Sequence, residues 1–555
     1  MLHIHISEVG TGRVANAFGM ARYTTFAQFF LFLCLAAAKE VVVDLEYARY
    51  RGKALSNGLV QWLGIRYAAP PTGPLRFSAP QNPSVVAGIQ NAFEHGPTCI
   101  PTSEYPIPKD TSEDCLFLDV YSPYRAGNHS KLLPVFVWIQ GGGFNQNSNP
   151  NYNGTGLIQA SGMGIVVVTF NYRVGPYGFL SGREILQDGS VNNGLKDQIK
   201  VLEWVQKHIH KFGGNPKHVV VGGASAGGAS ITLLLSAYGG RDDGLFHAAA
   251  AESQSFATML NLEQSQFAYN NLVIRTGCAS DADTLECLRG LDAEVLQREN
   301  INTPLPNAQQ APLYLYGPVV DGDLVSDYTY RLFHQGRFIK VPVIFGDDTN
   351  EGTIFVPKNV SNVGEADTFI QNQFPTIKLE QFAAINAWYL HENQTRQFPD
   401  AGPYWRPASN AYGEMRYICP GIDLSSIYAR AGINSWNYHY AVQDPDLEES
   451  GLGVDHTVEV NAIWGPNYVT GEPPSSYFTT NAPIVPVMQG YWTSFIKTFD
   501  PNLHRYPGSP QWNTWGNEGY HRIFVRTNET RMEEVPVDQR KRCEYLISIG
   551  PELQQ

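Results

Sequence analysis

Val219-Val-Val-Gly-Gly-Ala-Ser-Ala-Gly-Gly228 runs directly into Ser230-Ile-Thr-Leu-Leu-Leu235. Consecutive β-branched apolar residues read as a strand buried on both faces, and the leucine-rich run reads as a helix. Between them Gly223-x-Ser225-x-Gly227 makes a strand–turn–helix corner, the setting in which a strained serine presents its hydroxyl. The motif alone is weak. With 52 glycines in 555 residues, roughly 0.3 matches arise by chance. The flanking strand and helix give it weight; the competing reading is a glycine-rich turn serving only tight packing.

The same alternation extends outward. Val135-Phe-Val-Trp-Ile139, Ile165-Val-Val-Val168 and Val341-Pro-Val-Ile-Phe345 read as further buried strands. Leu195, Ile199, Leu202, Val205 and Ile209 lie on one face of a helix that ends at Phe212-Gly-Gly214. Strands alternating with helices predict an α/β fold, a large mostly parallel central sheet with helices on both faces. Gln140-Gly-Gly-Gly-Phe144 follows the strand at 135–139. Successive glycines leave main-chain N–H groups open to converge on a developing oxyanion.

A length of 555 residues suggests three or four domains at about 150 residues each, but large α/β enzymes reach this size around one sheet. No repeat, low-complexity tract or linker divides residues 39–555, so one α/β domain is expected there. The chain is 43% apolar and 16% charged, which excludes disorder and coiled coil as the main architecture. Its 39 basic and 52 acidic residues give a net charge of −13, which argues against a nucleic-acid partner.

Residues 1–38 read as a targeting segment. Phe29–Ala38 is a ten-residue apolar run ending in small residues, with Arg13 and Arg22 upstream. It is too short to span a bilayer, which takes about 20 residues, and suits a signal peptide cleaved near Ala38. Met20 is a second candidate for the true start. The polar end of the chain, Gly550–Gln555, and the lack of any long apolar stretch predict no stable membrane anchor. Secretion makes the cysteines informative: six lie beyond Cys34, and six allow fifteen connectivities. Short loops favour Cys99–Cys115 and Cys278–Cys287. Cys419–Cys543 remains, unless those two are buried free thiols. Sequons at Asn128, Asn153, Asn359, Asn393 and Asn528 agree with export.

Beyond these local signals, the chain resembles type-B carboxylesterases of the cholinesterase/lipase family, in particular secreted filamentous-fungal esterases. The resemblance is carried by Leu63-Gly-Ile-Arg-Tyr-Ala-Ala-Pro-Pro71, Leu75-Arg-Phe77, Ser112-Glu-Asp-Cys-Leu-Phe-Leu-Asp-Val120, Asn171-Tyr-Arg-Val-Gly175, Asn193-Gly-Leu-Lys-Asp-Gln198, Phe212-Gly-Gly214 and the Ser225 corner. It implies an α/β-hydrolase fold, ester hydrolysis with no metal or cofactor, and the bridges Cys99–Cys115 and Cys278–Cys287. It makes Ser225 the nucleophile, Glu351 in Gly346-Asp-Asp-Thr-Asn-Glu-Gly352 the acid, and His456 in Gly453-Val-Asp-His-Thr-Val-Glu459 the base. Asp347 and Asp348 stay as rival acids. The implied oxyanion donors are the N–H groups of Gly142, Gly143 and Ala226. Tyr314 and Pro312 match wall positions of the acyl pocket, with a plain packed edge segment as the alternative.

Departures from the family pattern bear on substrate. The fifteen residues between Cys99 and Cys115 contain no tryptophan, which cholinesterases use to hold choline. Ala224 stands where cholinesterases carry an acid. The loop is also shorter than the apolar flap of the related lipases. The expected activity is therefore hydrolysis of small-molecule esters with short to medium acyl chains. A triacylglycerol lipase is the alternative; a cholinesterase, or a binding protein of the same fold that has lost its nucleophile, rank below. Gln140 stands where the family often carries a histidine before the glycines.

Overall fold

Along Val135–Ile139, alternate side chains enter two different cores. Val135, Val137 and Ile139 pack with Val219, Val221, Ala249, Ala251, Val343 and Phe345. Phe136 and Trp138 pack with Val220, Ala248, Ala250, Ile344 and Trp436. That is the two-residue side-chain period of a sheet covered on both faces. In the computed structural model, residues 41–124, 131–148, 150–391, 395–516 and 519–555 are described. The expected targeting segment 1–38 with Met20, and the sequons Asn128 and Asn393, lie outside the described residues.

The main sheet contains β1 (Val41–Asp44), β2 (Arg49–Ala54), β3 (Leu59–Arg66), β4 (Phe117–Pro123), β5 (Leu133–Ile139), β6 (Val166–Phe170), β7 (Gly214–Ala224), β8 (Ala248–Glu252), β9 (Val343–Asp348), β10 (Ser435–Tyr440), β11 (His521–Val525) and β12 (Arg531–Glu534). They lie in the order β1-β2-β3-β4-β6-β5-β7-β8-β9-β10-β11-β12, with a short strand at Ile89–Asn91 beside β2. From β6 through β5 to β11 every pairing is parallel. The β1–β2, β2–β3, β3–β4, β4–β6 and β11–β12 pairings are antiparallel. Short connections, as between β1 and β2, permit hairpins, whereas parallel neighbours need long crossovers.

Two helices matter most to the site. Asn193–His208 (α1) buries Leu195, Val201, Leu202 and Val205 on one face of the sheet. Ala226–Gly240 (α2) follows the Ser225 corner after β7 and buries all of its first twelve residues. On the other face, Ile484–Thr498 contributes Met488, Tyr491, Trp492 and Phe495. Strand β9 begins at Val343 rather than at Val341, because Pro342 has no N–H to give a ladder.

Bridges join Cys99–Cys115, Cys278–Cys287 and Cys419–Cys543. Asn359 and Asn528 are exposed and Asn153 is half-buried. Among the described residues, no helix is long and apolar enough to cross a membrane.

Candidate active site

Ser225 follows the last residue of β7 with φ 60° and ψ −121°. A non-glycine residue at positive φ is strained by about 1–2 kcal/mol and must be held by its surroundings. Its N–H donates to the Glu252 carbonyl (3.0 Å), and its carbonyl accepts from the Ala229 N–H (2.8 Å). Gly227 makes the corner possible: a Cβ there would sit 2.1 Å from the Ile139 carbonyl oxygen. Ser225 is half-buried between the buried Ala224 and Ala226. As the first residue of α2, Ala226 has an N–H with no acceptor inside the helix.

The glycine loop after β5 faces this corner. A Cβ on Gly141 would meet the Ser225 Cβ at 3.0 Å. Gly142 folds the loop back by accepting from the N–H groups of Asn145 (3.0 Å) and Gln146 (2.9 Å). Gly143 has φ +60°, and a Cβ there would lie 2.4 Å from the Tyr314 ring. Among the described residues, the N–H groups of Gly142 and Gly143 have no protein acceptor. They are available to an incoming oxygen.

Asn145 braces this loop, and sequence reasoning missed it. Its side-chain amide donates to the carbonyls of Gly143 (2.8 Å) and Tyr316 (2.5 Å) and accepts from the Tyr316 N–H (3.2 Å). One side chain thus ties the glycine loop to the Tyr314 segment. Gln140 takes a different part: its amide donates to Asn147 Oδ1 (3.1 Å), whose own amide donates to the Cys99 carbonyl (2.6 Å). Gln140 thereby anchors the loop to the Cys99–Cys115 segment.

Glu351 and His456 meet after β9. The Glu351 carboxylate hydrogen-bonds His456 Nδ1 through Oε2, while Oε1 accepts from Ser253 Oγ (2.8 Å) and the Asp348 N–H (2.8 Å). Ser253, also unforeseen, links the two halves, since its neighbour Glu252 holds the Ser225 N–H. The signal for it was a polar pair, Glu252-Ser253, ending an alanine strand. His456 is buried against Tyr417 (4.5 Å between ring centroids) and Phe355 (5.0 Å), and its Nε2 has no hydrogen-bond partner. The rival acids are engaged elsewhere: Asp347 accepts from Gln254 Nε2 (2.8 Å) and Asp348 from the Val458 N–H (3.2 Å).

A cluster of buried acids lies behind this pair. Burial, reinforced by Glu459, pushes Glu252 well above the usual carboxyl range. Burial and the neighbouring carboxylates Glu459 and Glu351 do the same to Asp348. Glu252 pairs in register with Ala224 across β7 and β8, and its carboxyl accepts from Trp492 Nε1 (2.8 Å). Asp455 is pushed up to about 6, by burial first, with His456 opposing.

A pocket opens beside Gly143, walled by Phe144, Leu233, Phe256, Pro312, Tyr314 and Arg416. It brings Tyr314 and Pro312 together with the glycine loop at Gly143.

Comparison with known proteins agrees with this geometry. The model of the Carboxylesterase family matches residues 39–544. Secreted lipase 4 of Gibberella zeae is 30% identical, covering 87% of each chain. Lipase 1 of Geotrichum candidum is 34% identical, over 90% of this chain and 97% of its own. The crystal structure of Aspergillus niger EstA superposes with a TM-score of 0.90 at 43% identity, covering 93% of this chain and 99% of that one. An α/β-hydrolase sheet, a strained serine, a buried Glu–His pair and these relatives converge on one assignment: the chain belongs to the carboxylesterase family and is a carboxylic ester hydrolase.

Proposed function

We propose that this enzyme is a secreted serine esterase that hydrolyses short- to medium-chain esters through an acyl-enzyme formed on Ser225. The observation that carries this reading is the division of labour at Glu351. One carboxylate oxygen is committed to Ser253 and the Asp348 N–H, and the other orients His456 with Nε2 left open.

In the proposed reaction Ser225 Oγ attacks the ester carbonyl and His456 Nε2 takes its proton. Glu351 fixes the imidazole tautomer and stabilises the imidazolium. The N–H groups of Gly142, Gly143 and Ala226 bind the oxyanion; losing one such donor costs roughly 10²–10³ in kcat. The imidazolium then protonates the departing alcohol, and water repeats the cycle on the acyl-enzyme.

Export is supported by the apolar run at 29–38, the three bridges and the sequons. In this reading residues 39–555 form the mature α/β domain, and Asn128, Asn153, Asn359, Asn393 and Asn528 are candidate glycan acceptors.

Triacylglycerol hydrolysis is the second reading, favoured by the lipase names of the relatives. Against a mobile flap, the Cys99–Cys115 loop is fastened. Thr102 donates its N–H to the Asn145 carbonyl (2.8 Å) and Ser103 to that of Asn300 (2.9 Å). Gln297 also donates to the Pro101 and Glu104 carbonyls.

The test is hydrolysis of p-nitrophenyl esters from acetate to palmitate by the wild type and Ser225→Ala. Short esters should be preferred, and Ser225→Ala should lose both turnover and fluorophosphonate labelling. Activity that jumps above the solubility limit of the substrate would favour the lipase; a fully active Ser225→Ala would end the proposal.

A further inference from the structure

Five arginines are buried among the described residues: Arg76, Arg173, Arg289, Arg416 and Arg522. Four of them hold a carboxylate. Arg76 pairs with Glu113 (2.6 Å), Arg173 with Asp197 (2.7 Å), Arg289 with Asp188 (2.5 Å) and Arg522 with Glu533 (2.7 Å). Arg416, only 6% exposed, has none. Its Nε donates to Ser255 Oγ (2.8 Å) and its Nη1 to the Tyr412 hydroxyl (2.7 Å). Its guanidinium otherwise lies among the rings of Tyr314, Tyr412 and Tyr417, 5.6–5.7 Å from their centroids. A guanidinium carries five N–H donors, so three remain without an acceptor among the described residues.

A buried charge without a counter-ion is unfavourable; the hydroxyls and rings around Arg416 offset part of that cost and leave its remaining donors open to an anion. Arg416 lines the pocket beside Gly143, and it is the only charged residue among those lining it. No carboxylate competes for its open donors there. Tyr314 connects the two ends: its ring packs on Gly143 and under Arg416. Planar guanidinium donors match a carboxylate in a bidentate fork.

We infer that Arg416 makes one wall of the pocket beside Gly143 a carboxylate subsite, so that the enzyme takes esters whose acyl chain ends in an anion, the monoesters of dicarboxylic acids. This deepens the proposed function and rests on the pocket beside Gly143 receiving the acyl chain of the ester. The guanidinium is already buried before the substrate arrives, held by Ser255 and Tyr412, and gains its counter-ion on binding.

The experiment compares monoethyl esters of straight-chain dicarboxylic acids of roughly four to eight carbons with methyl-terminated ethyl esters of equal chain length, followed by pH-stat. For the wild type, kcat/KM at one chain length should favour the dicarboxylate monoester by roughly ten- to a hundredfold, the range of a charge-assisted hydrogen bond. In Arg416→Met that ratio should fall to one or below, and Arg416→Lys should restore part of it. Should Arg416→Met fail to fold, the wild-type series decides alone. A wild type that prefers the neutral ester at every length, while its activity still requires Ser225, overturns the subsite and leaves the esterase reading standing. Hydrolysis that survives Ser225→Ala strikes the esterase reading instead.

Discussion

Replacing Gly143 with alanine should damage stability and turnover together, for separable reasons. The residue has φ +60°, where a Cβ costs about 1–2 kcal/mol. That Cβ would also lie 2.4 Å from two carbons of the Tyr314 ring, whereas carbons rest at about 3.5–4.0 Å. The ring or the loop must therefore yield by about 1 Å, an overpacking penalty of roughly 1–3 kcal/mol. The two contributions amount to about 2–5 kcal/mol of lost stability, read from urea unfolding. Because Asn145 ties Gly143 to Tyr316, the loop cannot retreat without moving its N–H groups. Turnover of a short ester should consequently fall by about 10²–10³. Adding Tyr314→Ala removes the steric part, so the double variant should recover stability and keep only the backbone cost. Gly143→Ala with stability within about 0.5 kcal/mol of wild type and unchanged kcat would refute the reasoning.

Glu351→Gln should lower kcat by about 10⁴, as loss of the orienting acid does in other triads; Asp348→Asn should cost far less, and the reverse order in steady-state assays would exchange their roles. Tyr314→Ala should move the acyl-length optimum towards longer chains by opening the wall beside Gly143, and an unchanged profile across an ester series would remove Tyr314 from the pocket. Cys419→Ser with Cys543→Ser opens a loop closed over a separation of 124 residues and should cost about 5 kcal/mol by chain entropy, seen as a lower denaturation midpoint. Glu533 is drawn down from its ordinary 4.5 to about 2; burial opposes the shift, but hydrogen bonds from His439 and Arg522 and the charge of Arg522 prevail. Its folded-state pKa is depressed, so its stabilising effect is present above about 4.5 and disappears as pH falls towards 2. Glu533→Gln should accordingly flatten the acid limb of the stability profile in that window.

Signals that depend on a few adjacent residues were legible without a structure. The continuous apolar runs at 135–139 and 219–221 need only a few adjacent residues to declare themselves strands buried on both faces, and they sit at the centre of the parallel sheet. The Ser225 corner needs only its two glycines and the helix that follows. The cysteines had a local reading as well, because the cost of closing a loop falls with its length. By contrast, the antiparallel pairing of β1 to β4 could not be read, since strand direction depends on which partners the connections allow.

The details that set the chemistry belong to tertiary structure. Three acids stand within five positions, and all three are buried. Only folding decides that Glu351 receives His456, 105 residues away, while Asp347 turns to Gln254 and Asp348 to Val458. Asn145 is an ordinary asparagine until the chain brings Tyr316 to it across 171 residues. Arg416 looks like any arginine in a helical stretch, and its lack of a counter-ion exists only once four other arginines have taken theirs. Hydrogen bonds and ion pairs are short-ranged in space and indifferent to sequence distance. Residue type states what a group can do, and only packing decides which partner it finds.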